Sequence, residues 1–201
     1  MTKMFDHIGS PEARAFIVER LSGDALLGRS GYTMRQSTYV LPYPPAQSTY
    51  ARDLVAAICA EDLPNRGVAA AQVNLYDIVL GFLDEQGMWE PLCEAERDSS
   101  RDELIMMLQD TISVSDVIRP AVEAQIRESG CDIAFITGVG ETFPYVRTHT
   151  LLGEIETDKP VVLVFPGEYR QNADGSTSLD ILNFPSAANG GYYRATSVFD
   201  L

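Results

Sequence analysis

The residues best placed for chemistry lie in the last third of the chain. Thr137-Gly138-Val139-Gly140-Glu141-Thr142 follows an apolar run and precedes a helical pattern. Free N–H groups at such a strand-to-helix turn can cradle an anion, and open α/β sheets bind ligands at that edge. A P-loop also needs Gly-Lys-Ser/Thr, and no lysine is present. The dinucleotide fingerprint G-x-G-x-x-G fails because Phe143 holds the place of the third glycine. A second apolar run ends in Phe165-Pro166-Gly167-Glu168-Tyr169-Arg170. In a parallel sheet both segments emerge at one edge, so Gly138, Gly140, Arg147, Gly167, Glu168 and Tyr169 are expected to converge on a ligand- or partner-binding site. The plainer arrangement is a pair of packed turns, with Arg147 ion-paired to Glu168 or a nearby acid. Near the C-terminus Tyr192-Tyr193-Arg194-Ala195 follows two glycines. Tyr193 and Arg194 form an aromatic–arginine pair that suits stacking or a protein interface.

Other reaction classes lack their residues. The two histidines, His7 and His149, are far apart and have no cysteine at ligand spacing, whereas a zinc site needs about four ligands. His149 reads as a packed, hydrogen-bonded side chain. No G-x-S-x-G nucleophile elbow occurs, and the acids form no paired-carboxylate or D-x-D pattern. The three cysteines, Cys59, Cys93 and Cys131, have no framework spacing and read as buried small hydrophobes. No catalytic residue, metal or cofactor is expected.

Composition bounds the class of protein without assigning a function. The chain has 201 residues with a net charge of −14 and a pI near 4.4. That length fits one domain with a sizeable core. The acidic balance argues against DNA binding, which is driven by cation-dependent counterion release. Residues 84–132 carry 13 acids against four arginines, making the middle section either a solvated face or a surface for a basic partner. No stretch approaches the ~18 apolar residues of a membrane span, and no apolar leader opens the chain. The cytoplasm is the expected location.

The elements that must position these residues follow from local patterns. Ser10-Pro11-Glu12 predicts a capped helix ending near Gly23. Thr38–Tyr43 reads as a strand, and Ser48 to about Ala60 as a helix. Val68–Leu75 reads as a largely buried strand, and residues 77–130 are mostly helical. In this section Leu104–Leu108 is too continuously apolar for a surface helix with a single stripe. Asp132–Thr137 is the clearest strand. A helix is expected over Pro144–Glu156, followed by a strand over Pro160–Phe165 ended by Pro166-Gly167. Together these form a right-handed βαβ unit. Leu179–Leu182 and Tyr192–Val198 are expected as antiparallel edge strands. The fold class is therefore a single α/β domain over 1–201, with a mainly parallel sheet and helices on both faces.

Thr137-Gly138-Val139-Gly140, Phe143-Pro144-Tyr145-Val146-Arg147-Thr148-His149 and Leu151-Leu152 together resemble the central motif of BrxB-type proteins of the BREX bacteriophage-exclusion systems. Pro160-Val161-Val162, Phe165-Pro166-Gly167-Glu168-Tyr169, Ser178-Leu179 and Tyr192-Tyr193-Arg194-Ala195 fit the same pattern in the same order. The match covers about residues 132–198. It departs between Tyr169 and Leu179, which is longer and more polar, and after Leu182, where Phe-Gly is missing. The resemblance implies a non-enzymatic accessory subunit of an anti-phage complex. Its partners would be other BREX proteins, foremost the alkaline-phosphatase-like PglZ. The rival class, from the glycines alone, is a degenerate NTPase-like module binding a nucleotide or anion.

Overall fold

The computed structural model describes residues 7–24, 26–29, 38–171, 177–182 and 195–201. Helix α1 (Pro11–Leu21) starts where the sequence places it. The Ser10 hydroxyl accepts the Ala13 N–H, and proline occupies the first turn, where a missing N–H costs nothing. Strand β1 (Thr38–Tyr43) leads into α2 (Ser48–Ala57), which continues as a π-helical turn over Ile58–Asp62. The turn at Pro64–Arg66 closes on Gly67, whose φ of 71° is open to glycine at little cost. Strand β2 (Ala70–Asn74) follows, then α3 (Leu75–Glu85), α4 (Trp89–Asp98), α5 (Arg101–Thr111) and α6 (Arg119–Ser129).

Strand β3 (Ile133–Thr137) passes through the short α7 (Val139–Thr142) and α8 (Thr148–Glu154) into β4 (Val161–Gln171). Strands β5 (Thr177–Ile181) and β6 (Thr196–Ser197) complete the sheet. The order is β2-β3-β4-β1-β6, with every neighbouring pair parallel, and β5 pairs antiparallel with the far end of β4.

Alternation along the central strands divides the core in two. Tyr39, Leu41, Tyr43, Ile133, Phe135, Val162 and Val164 face α1, α2 and the C-terminal Val198 and Phe199. Val40, Ala134, Ile136, Val161, Leu163 and Phe165 face α3, α6 and α8. A parallel sheet buried on both faces needs apolar residues at successive positions, which is why the runs in β1, β3 and β4 were readable as strands. Among the described residues, no helix is long and apolar enough to cross a membrane.

Several expectations are corrected. Strand β2 is an edge strand, and of its five residues only Val73 is buried. Helix α5 buries none of its residues, despite its apolar run. The helix expected from Pro144 begins at Thr148, after α7 and the cis Phe143–Pro144 peptide. Strand β4 does not stop at Pro166-Gly167. Its parallel pairing with β1 ends at Tyr43↔Pro166, and from Gly167 it pairs with β5 instead. Proline is tolerated there because the ladder changes partner at that residue. Finally, Tyr192–Arg194 of the expected last strand lie outside the described residues, and its Thr196–Ser197 part, β6, runs parallel to β1, so among the described residues only β5 is antiparallel.

Candidate functional site

The C-terminal ends of β2, β3, β4 and β1 define the sheet edge where the expected site residues gather. Gly138 follows β3 with φ +77° and forms the N-cap of α7. A Cβ at this position would collide with the Asn74 carboxamide oxygen and lie 2.8 Å from the Tyr76 nitrogen. Asn74 is fixed there because its side chain accepts the Tyr76 N–H at 3.0 Å, capping α3. Gly140 packs against Pro166, whose Cγ would lie 3.1 Å from an added Cβ. Gly167 faces the Asp180 carbonyl across the β4–β5 pair, with no room for a side chain. Gly138 thus lets the end of β3 approach the β2–α3 junction, Gly140 lets α7 approach β4, and Gly167 lets β4 approach β5. The space each leaves is filled by protein.

The charged and aromatic residues divide differently. Arg147 is exposed at the N-cap of α8, and among the described residues no carboxylate pairs with it. The expected Arg147–Glu168 pair does not form. Glu168 lies opposite Asp180 in the β4–β5 register, and two like charges so placed repel. Arg170 relieves this. Its guanidinium donates to Glu168 at 2.6 and 3.0 Å and lies 3.8 Å from Asp180. The Glu168 hydrogen bond is the main cause of the raised Arg170 pKa. Tyr169 Oη donates to the Ala195 carbonyl at 3.3 Å, tying β4 to the segment before β6. Burial, and next the charge of Asp200, raises its pKa. Tyr193 and Arg194 lie outside the described residues, as does the side chain of His149.

The structure adds a group the motifs did not single out. Tyr43 at the end of β1, Tyr76 on α3, Glu141 on α7 and Tyr145 sit close enough to interact electrically at this edge. Burial pushes the Tyr43 phenol up to about 12, and the Glu141 carboxylate adds to the effect. Tyr145 is also pushed to about 12, by burial first and then by Tyr76 and Glu141. Its hydroxyl donates to the Glu141 carbonyl at 3.1 Å. Phenols held neutral to such pH can donate and accept hydrogen bonds but offer no general base near neutrality. A carboxylate beside the Gly138–Gly140 turn also disfavours a bound phosphate. The signal available in the sequence was positional: Tyr43 ends a strand, and Tyr145 follows the turn after one.

An open groove of about 370 Å³ lies elsewhere, between α1 and the turn before β2, bordered by Arg14, Asp62 and Arg66. Its arginines are engaged. Arg14 grips Asp62 at 2.8 and 3.0 Å and Glu61 at 3.2 Å, and Arg66 donates to the Ser22 hydroxyl at 2.9 Å. The Arg14 contacts fasten α1 to the π-helical turn, and the Arg66 bond ties the end of α1 to the Pro64–Arg66 turn. Among the described residues, no group of three or more His, Cys, Asp or Glu is arranged to hold a metal. Cys93 is exposed, which corrects its expected burial, while Cys59 is partly and Cys131 fully buried.

Comparison with known proteins follows this geometry. The family model described as BREX protein BrxB matches residues 71–198, from within β2 to just past β6. A "BREX protein BrxB" of Bacillus cereus (strain H3081.97) is 25% identical over 168 residues, covering 81% of this chain and 83% of its own. Another, from Escherichia coli O9:H4 (strain HS), is 21% identical over 185 residues, covering 89% and 86%. No solved structure gives a significant match.

Proposed function

The chain belongs to the BrxB family, and on that premise we propose that it is a non-enzymatic accessory subunit of a BREX anti-phage defence complex that binds the PglZ protein. The observation that carries this reading is the family match itself. It spans residues 71–198 and so takes in the β3–α7 turn, Arg147 and the β4 extension. Arg147 supports an interaction role because it is exposed and, among the described residues, has no ion-pair partner. The Arg170–Glu168 pair presents a fixed charge pattern on β4, and the neutral tyrosines of the sheet edge provide polar contacts without acid–base chemistry. Tyr193 and Arg194 are proposed as interaction residues from their sequence pattern alone. The protein acts in the cytoplasm, where phage DNA is exposed.

Co-purification tests this function. The tagged chain, expressed with its whole gene cluster, is recovered and its companions identified by mass spectrometry. Recovery of PglZ in stoichiometric amount supports the proposal, and recovery of the chain without any BREX protein overturns it. The nucleotide-binding alternative predicts a thermal shift: a ligand at ~100 times its Kd stabilises by about 2.7 kcal/mol. With the glycine spaces filled and Glu141 beside them, ATP and magnesium are expected to leave Tm unchanged.

A further inference from the structure

Helices α4 and α5 stand apart from the rest of the fold. They are joined by only Ser99 and Ser100, so they form a helical hairpin. Neither buries a single residue, yet between them they carry Trp89, Leu92, Leu104, Ile105, Met106, Met107 and Leu108. The base is anchored. Met88, Leu92 and Leu108 pack on the core of the α3–α6 face, and the Gln109 amide donates to the Pro144 carbonyl at 3.1 Å. The other apolar side chains stay partly or largely exposed. Trp89 is 38% exposed and Met106 58%, while Leu104, Ile105 and Met107 are half-buried without joining either core.

The charge around this patch is of one sign. Residues 84–111 hold nine acids and two arginines. Among the described residues, none of these nine carboxylates takes part in an ion pair. An uncovered apolar patch within unpaired carboxylates is complementary to one kind of partner. A nucleic acid or an anionic membrane would be repelled. A second copy would set the same acidic hairpin against itself, in a chain whose net charge is already −14.

We propose that the α4–α5 hairpin is a docking surface for a basic amphipathic segment of another protein, a helix with an apolar stripe flanked by Lys and Arg. Trp89, Ile105 and Met106 receive the stripe, and Glu90, Glu94 and Asp102 meet the basic flanks. Methionine suits such a surface because its flexible, polarisable side chain adapts to the partner. The hairpin reaches the candidate site through the Gln109–Pro144 bond, so the two surfaces adjoin. The inference deepens the reading of the chain as a binding subunit and rests on it for the partner's membership of the BREX complex.

Two features make the test direct. Trp89 is the only tryptophan, so intrinsic fluorescence reports on the hairpin, and Cys93 on α4 is exposed while the other thiols are not. The probe is a synthetic amphipathic Leu/Lys helical peptide, titrated against the full chain. A saturable blue shift of Trp89 is expected with this peptide and not with oligolysine or an amphipathic Leu/Glu peptide. Met106→Glu, at an exposed position, should leave Tm unchanged and weaken binding about tenfold. The absence of a shift, an equal shift with oligolysine, or unchanged binding by Met106→Glu overturns the proposal. A benzophenone attached at Cys93 then locates the contact in the assembled complex. Cross-linking to a Lys/Arg-rich segment of a BREX protein supports docking. If the chain captures its BREX partner but neither Met106→Glu nor the cross-link touches the contact, the hairpin fails and the subunit reading stands. If no BREX protein is captured, the subunit reading fails, and the peptide titration still decides the hairpin.

Discussion

The Asn74 side chain occupies the space where Gly138 lacks one. One carboxamide oxygen both caps α3, by accepting the Tyr76 N–H, and fills the hollow beside the β3–α7 turn. The ends of two neighbouring parallel strands are thereby locked in one arrangement. Gly138→Ala should destabilise the fold by about 1–3 kcal/mol, from left-handed backbone strain and the collision together. In an Asn74→Gly background the collision with the carboxamide is removed, while the approach to the Tyr76 nitrogen and the backbone strain remain, so the same substitution should cost less but not nothing. Thermal melts of the four proteins check this. Strictly additive costs would contradict the contact.

The three thiols should differ in reactivity. Burial pushes the Cys59 thiol up to about 12, with the neighbouring Cys131 adding to it, so little thiolate exists at neutral pH. A maleimide at pH 7 should label Cys93 alone in the native protein and all three thiols in denaturant. Native labelling of Cys59 would contradict its placement.

The tyrosines predict an alkaline limit to stability. Tyr43 and Tyr145 ionise at about 12 in the folded chain against an ordinary 10.0. The folded state therefore holds these protons where the unfolded state releases them. Their contribution is fully present below pH 10 and is lost as pH rises through about 12. Tm should fall across this window, and less so in Tyr145→Phe. Native phenolate absorbance from these residues that is complete near pH 10 would contradict the prediction.

Arg147 separates structural from interaction roles. Exposed and unpaired among the described residues, it should tolerate Arg147→Ala with a stability change within about 0.5 kcal/mol. Partner capture should fall. Unchanged Tm together with unchanged capture would remove Arg147 from the interaction surface.

The fold was legible where one local rule decided the outcome. Ser10 and Pro11 marked α1, and Thr38–Tyr43 was readable as β1 over its full length. The βαβ unit followed from two apolar runs buried on both faces. Misreadings arose where tertiary context overrode the local signal. Pro166-Gly167 looks like a strand end. The chain instead uses the proline where pairing with β1 stops and the glycine where β5 comes close. The apolar run Leu104–Leu108 implied burial, yet in the described fold only Leu108 packs on the core and none of the five is fully buried. At the candidate site, the convergence of Gly140 with Pro166 was readable from parallel topology. The ion pairing was not: Glu168 and Arg170 share a face because β4 continues past Pro166, and Asp180 joins them through the β4–β5 register.

The most direct test of the central claim is recovery of the tagged chain from cells carrying its entire gene cluster, with companions quantified by mass spectrometry. A stoichiometric complex with PglZ that weakens in Arg147→Ala, while the fold is retained, is the predicted result. A chain recovered without any BREX protein would contradict the account.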